Sequence, residues 1–169
     1  MNGAALKPRP VAPGRDRFAR FVPLTTRWVD NDAYGHINNA AYFTFFDAAV
    51  NAILIGAGLL NPAQSDVIGL VVDNSCVYFS SLAFPDALEV GVAVESLGRS
   101  SVRYRLGVFK AGAARAAAQG RYTHVYVERI GQRPTPIPDA HRALMESLRT
   151  ETDPPQPLKT LPRATPFAP

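Results

Sequence analysis

The chain has 169 residues, 47% of them apolar and 19% charged, with a formal net charge of +4. That balance suits one globular domain with a real core and excludes a polypeptide too polar to fold. A single cysteine excludes an internal disulfide and a cysteine-built zinc site, and no apolar run is long enough to span a bilayer.

The first 20 residues carry Lys7, Arg9, Arg15, Arg17 and Arg20 against Asp16 alone, so the charge excess resides there. They hold prolines but no aromatic interleaving and no recognition-helix pattern. Residues 1–20 are therefore predicted to be a disordered basic arm, with neither nucleic acid nor membrane as partner. The same stretch lacks the apolar middle of a secretory signal, and with the lone thiol this predicts a cytoplasmic protein.

Residues 21–29 alternate as a strand does, and from Asn39 the period changes. Tyr42, Phe43, Phe46, Ala49, Val50, Ile53 and Leu54 recur at helical spacing, predicting a long apolar helix over 39–55 that stops at Gly56 and Gly58. Between strand and helix lies a turn holding Asp30, Asn31, Asp32, Gly35, His36, Asn38 and Asn39, residue types that tolerate unusual backbone angles. Asn38 or Asn39 is the predicted N-cap, which sets free amides and a partial positive charge beside a loop carboxylate. Such a place can hold an anion as it forms.

Strand patterning then persists. Extended segments are predicted over 67–79, 88–96, 102–109 and 114–128, with turns at Phe84-Pro85-Asp86-Ala87, Gly98-Arg99 and Lys110-Ala111-Gly112. Connections this short require antiparallel pairing, and the small alanines of the last strand allow a helix to approach closely. A helix apolar around most of its circumference wants cover on nearly every side, so a homodimer or a dimer of dimers is the natural completion. Arg133-Pro134-Thr135-Pro136-Ile137-Pro138 reads as stiff and extended. A short helix over 139–149 follows, with Asp139 as its N-cap, and then a Pro-rich flexible tail over 150–169.

The run Arg27-Trp28-x-Asp30-x-Asp32-x-x-Gly35-His36-x-Asn38-Asn39-x-x-Tyr42-x-x-Phe45-Phe46-Asp47 resembles the opening of hot-dog-fold acyl-CoA thioesterases of the 4-hydroxybenzoyl-CoA thioesterase type. Tyr78, Pro85-Asp86-x-Leu88, Gly98-Arg99-Ser100-Ser101 and Arg133-Pro134-x-Pro136-Ile137-Pro138 follow in the same order, so the similarity spans residues 21–149. The resemblance implies an α+β hot-dog fold, in which a curled antiparallel sheet wraps a long central helix, and active sites at a dimer interface. It also implies that Asp32 is the catalytic carboxylate and that the backbone amide of Asn39 polarises the thioester carbonyl. The implied substrate is a fatty or aromatic acyl-CoA, with no cofactor, since coenzyme A belongs to the substrate.

Residue chemistry agrees with that assignment while leaving alternatives open. Asp32 can act as a general base or as a nucleophile forming a mixed anhydride, or simply cap its own turn. His36 can bond substrate or orient Asp32. Tyr42, one turn into the helix, can line the site or belong to the core. Asp30 reads as a brace for the loop through Arg27. Asp30, Asp32 and His36 make a metal site only with ligands from elsewhere, so none is expected. Asp47 is a rival acid, yet it lies roughly 12 Å along the axis from the helix start. Its better reading is a hydrogen bond to the sheet. Coenzyme A phosphates call for arginine and backbone amides, and Arg99, Ser100, Ser101, Arg103 and Arg133 are the candidates. Cys76, His124 and His141 read as structural.

Two other functions use the same fold. A hydratase or dehydratase needs a G-D-x-N-P-x-H loop, which this sequence lacks. A non-catalytic acyl-CoA-binding or regulatory protein needs only the pocket. No G-x-S-x-G elbow supports a serine hydrolase.

Overall fold

The computed structural model describes residues 11–150. Five strands form one antiparallel sheet: β1 (Arg20–Thr25), β2 (Val67–Tyr78), β3 (Ala87–Leu97), β4 (Ser101–Lys110) and β5 (Ala118–Glu128), in the order β1-β3-β4-β5-β2. Helix α1 (Ala41–Gly56) packs on one face and α2 (Asp139–Ser147) follows the sheet.

Alternation decides which side chains meet α1. Val90, Val92 and Val94 of β3, Tyr104, Leu106 and Val108 of β4, and Ala118 and Tyr122 of β5 join Phe45, Phe46, Ala49, Val50, Ile53 and Leu54 of α1 in one buried cluster. The approach is closest at Gly120, where an added Cβ would run into the Phe46 ring. The smallest residue of β5 thus receives the largest fully buried side chain of the helix. Met145 and Leu148 close one end of this core against Tyr104.

Several boundaries differ from expectation. The strand predicted over 21–29 ends at Thr25, because the chain turns through a short 3-10 helix at Trp28–Asp30. There the buried Asp30 carboxylate accepts from the Arg27 amide at 2.6 Å and from Arg27 Nη2 at 2.7 Å, folding the chain back on itself. Helix α1 starts at Ala41 rather than 39, with Ala40 as its N-cap. No side chain caps it, so neither predicted N-cap holds; Asn38 Oδ1 instead accepts the Ala40 amide at 2.9 Å, in the turn before the helix. In α2, Asp139 is the first helical residue and Pro138 the cap, and the helix ends at Ser147 rather than 149.

The last strand, predicted from 114, starts at Ala118. Residues before it bond instead to the segment expected to be disordered: Gly14 bridges Arg115, and the Ala116 amide donates to the Pro13 carbonyl at 3.0 Å. Residues 11–20 of the predicted arm are therefore docked. Phe18 supplies the reason, since its ring lies over the outer face of the sheet among Phe21, Ala93, Phe109 and Ala116. Gly91 and Gly107 leave the space it fills, and a Cβ on Gly107 would come within 2.5 Å of that ring. Arg15 lies 3.9 Å over the Phe21 ring and bonds Glu89 at 2.8 Å. The rest of the arm, with Lys7 and Arg9, and residues 151–169 of the predicted tail lie outside the described residues. No helix among the described residues is long and apolar enough to cross a membrane.

Candidate functional site

The turn between β1 and α1 is a small closed loop. Asn31 bridges Ile37, the Asp32 amide donates to the His36 carbonyl at 2.7 Å, and the Asn38 amide donates to the Asp30 carbonyl at 2.8 Å. Gly35, at φ +80°, makes the reversal that an L side chain resists. Arg27 braces the loop from below, and its guanidinium holds the Asp30 carboxyl below the usual carboxylate range. Asp30 is thus consumed by the brace, as its sequence position suggested.

Asp32 divides its two oxygens. Oδ1 accepts the amides of Tyr34 at 2.8 Å and His36 at 3.3 Å, the turn-capping arrangement of an aspartate. Oδ2 accepts nothing from the described residues. The turn therefore fixes the carboxylate without exhausting it.

Asp32, His36, Asn39 and Tyr42 line one cleft of about 350 Å³. The opposite wall is the end of β2 and the strap beyond it, with Tyr78, Ser80 and Leu82. Two bonds close that strap on the loop: the Ile37 amide to the Leu82 carbonyl at 2.8 Å, and the Phe84 amide to Asn31 Oδ1 at 3.0 Å. Among the described residues nothing accepts the Asn39 amide, two residues before the first helical residue Ala41. The Asn39 carbonyl is held instead, accepting the Tyr78 hydroxyl at 3.2 Å. Burial, and then Cys76, pushes the Tyr42 phenol up to about 12. Burial with Cys76 and Tyr42 also raises Tyr78. Both phenols stay protonated at neutral pH, so they serve as donors and packing surface.

The match to known families extends from residue 26 to residue 145, through this loop, α1 and the whole sheet beyond it, and the model matched is described as the thioesterase-like superfamily. The chain belongs to the thioesterase-like superfamily. Among solved structures it is 46% identical to the PA5185 protein of Pseudomonas aeruginosa, covering 85% of this chain and 100% of that one at a TM-score of 0.82. Two further structures share the fold. They are a 1,4-dihydroxy-2-naphthoyl-CoA thioesterase from Synechocystis (16% identity, 74% of this chain and 93% of that, TM-score 0.67) and the BH1999 gentisyl-coenzyme A thioesterase (20%, 75% and 99%, 0.67). No curated protein matches significantly.

Other candidates of this superfamily member fall elsewhere in the chain. Arg99 and Ser100 form the β3–β4 turn and Ser101 opens β4; the Arg99 carbonyl accepts from Ile137 at 2.9 Å and the Ser100 carbonyl from Tyr126 at 2.7 Å. Arg103 bonds Thr123 at 3.3 Å, and Arg133 pairs with Glu128 at 3.1 Å. None of the five lines the Asp32 cleft. Asp47 lies outside it too and accepts the Tyr122 hydroxyl, the bond to the sheet its position suggested. Among the described residues no three His, Cys, Asp or Glu side chains gather as a metal ion would require.

Sequence reasoning left the strap unassigned. Tyr78 entered only as part of a family pattern, while Ser80 and Leu82 follow a strand with no motif to mark them. The signal available was indirect: a tyrosine ending a long strand, followed by two serines, belongs beside polar backbone.

Proposed function

We propose that the chain hydrolyses the thioester of an acyl-CoA, releasing the free acid and coenzyme A, in the manner of the 4-hydroxybenzoyl-CoA thioesterase type. The reading is carried by one observation: Asp32, with one carboxylate oxygen uncommitted, and Asn39, whose amide has no acceptor among the described residues, line the same cleft just before α1. Substrate carbonyl oxygen sits at the Asn39 amide, where the helix dipole favours the developing negative charge at no cost in reorganisation.

Asp32 then acts in one of two ways. As a base it takes a proton from water while the water oxygen bonds the carbonyl carbon. The tetrahedral oxyanion collapses, the C–S bond breaks, and the thiolate takes the proton back. As a nucleophile its free oxygen bonds the carbon directly, expels the thiolate and leaves a mixed anhydride for water to open. His36 and Tyr42 line the path to substrate, and no resident cofactor is needed. The phosphates of coenzyme A reach Arg99, Ser100, Ser101, Arg103 or Arg133 across a homodimer or a dimer of dimers, since none lies at the cleft of its own protomer.

Asp32→Asn tests the reading. It keeps the turn acceptor and removes the charge, so the protein should remain folded and bind acyl-CoA while turnover drops by about 100-fold or more. A free-thiol assay over short, long, branched and aromatic acyl-CoAs measures this and names the acyl group at once. Undiminished thiol release by the variant rejects the assignment.

A further inference from the structure

We infer that the rim of the Asp32 cleft carries an aromatic shelf, Trp28 with Phe84, on which the adenine ring of a coenzyme A substrate stacks. The inference rests on the acyl-CoA reading above and adds to it a subsite for the end of the substrate farthest from the thioester.

Trp28 is 78% exposed and Phe84 37% exposed, and their rings meet edge to face at 6.0 Å. Single apolar side chains are scattered over every protein surface and call for no explanation. An indole and a phenyl ring brought together in solvent from two separate loops are a different matter. Both loops belong to the cleft: Trp28 opens the 3-10 turn that runs into Asn31 and Asp32, and Phe84 follows the strap that walls the other side as far as Leu82. The Phe84 amide donates to Asn31 Oδ1 at 3.0 Å and ties the two loops together at the rim.

The turn that carries the indole is also braced. The Arg27 amide and guanidinium close it on Asp30, and the Asn31 amide donates to the Trp28 carbonyl at 3.3 Å. A rigid aromatic side chain on a fixed backbone loses little freedom when another ring settles on it, which is why tryptophan is so often a binding anchor. Adenine is the one flat π-system that every acyl-CoA shares, whereas the pantetheine arm has no ring to stack. Stacking of a base on an aromatic side chain needs only the two faces, and no hydrogen-bond pattern.

The reach fits as well. Four residues take the chain from Trp28 to Asp32, so their Cα atoms lie within about 14 Å of each other whatever the path. The pantetheine and pyrophosphate that join the thioester to adenine form a long, freely jointed arm, which covers such a span by bending.

Trp28 is the chain's single tryptophan, so its emission reports on this place alone. The test is a fluorescence titration of the full chain, excited at the red edge of the indole band, where adenine does not absorb. Saturable quenching is expected with coenzyme A and with adenosine 3′,5′-bisphosphate, and none with pantetheine. In thiol-release assays Trp28→Ala should lower kcat/KM for an acyl-CoA about tenfold relative to the same acyl group on pantetheine, and Trp28→Phe should restore most of that loss. Trp28 lies outside the core, so both variants should fold, with an unchanged circular dichroism spectrum as the control. Emission that coenzyme A leaves unchanged, quenching by pantetheine as strong as by coenzyme A, or an equal loss on both substrates in Trp28→Ala overturns the inference. Quenching needs no turnover. Saturable quenching by coenzyme A and the bisphosphate without thiol release from any acyl-CoA would therefore uphold the shelf and reject the hydrolysis, and thiol release without quenching would do the reverse.

Discussion

Tyr78 reaches across from the end of β2 to the carbonyl of Asn39, whose own amide is the proposed oxyanion donor. A peptide unit is planar, so fixing the carbonyl fixes the direction of the N–H preceding it only through the Asn39 φ and ψ angles, which the hydroxyl restrains. Tyr78 is thus a positioning residue. Tyr78→Phe keeps the ring against Tyr42, 5.0 Å away, and loses only that bond. Its expected effect is a fall in kcat of about threefold to tenfold, the worth of one hydrogen bond, with KM nearly unchanged. A KM that rises while kcat holds would show that Tyr78 serves binding instead. His124 permits a second prediction at this scale. It is buried beside Tyr122 and Tyr104, its Nδ1 has no hydrogen-bond partner among the described residues, and burial pulls its pKa down to about 4 despite the pull of Asp47 the other way. The unfolded chain binds that proton near pH 6.5 and the folded chain does not, so stability is complete above about 6.5 and drains away as pH falls toward 4. The loss amounts to about 3 kcal/mol at most. Urea denaturation across that window should give a steep slope for the wild type and a flatter one for His124→Phe.

At the scale of elements, α1 and the sheet are fitted at one narrow place. Gly120 of β5 lies beneath the Phe46 ring, and a methyl group there must displace the ring or the backbone of β2 at Ser75. Gly120→Ala is expected to cost about 1–3 kcal/mol, read as a lower urea midpoint, whereas the same change at Gly112, where a Cβ meets no atom within 4 Å, strains only a turn. Equal losses at the two positions would deny that packing against Phe46 is the cause. Such contacts explain which parts of the fold were legible. The stripe of α1 and the alternation of β3 and β4 were plain, because periodicity reports directly which face is buried, and each boundary fell within two residues of the structure. The 3-10 turn at Trp28–Asp30 was not, for nothing in the alternation of residues 21–29 says that Arg27 will fold back on Asp30. Nor was the docking of Phe18, since its groove is made by two glycines about 70 to 90 residues away. In the cleft, the loop and the helix start were legible because they are contiguous. The wall from Tyr78 to Leu82 was not, because only tertiary pairing brings it there.

For the whole molecule the open question is the free side of β2. That strand is twelve residues long, about 40 Å, and among the described residues it pairs with β5 on one side alone. Val71, Val72, Val77 and Tyr78 along it are each 44 to 46% exposed. Edge strands that must stay solvated are usually kept short, charged or broken by proline, and β2 carries one acid and no proline in its length. An edge this long and apolar calls for a second copy, and antiparallel pairing of β2 with β2 would continue the sheet through a two-fold axis. Tyr78 and the cleft it walls lie at the end of that same strand, so the partner would complete the mouth of the site. The expected species in analytical ultracentrifugation is therefore a dimer or a larger even assembly. Val72→Lys, which plants a charge on the edge without touching the core, should shift it toward monomer and lower thiol release along with it. A monomeric variant with full activity would confine the working site to a single chain. A wild type that is monomeric at micromolar concentration would leave the exposed valines of β2 to some other partner.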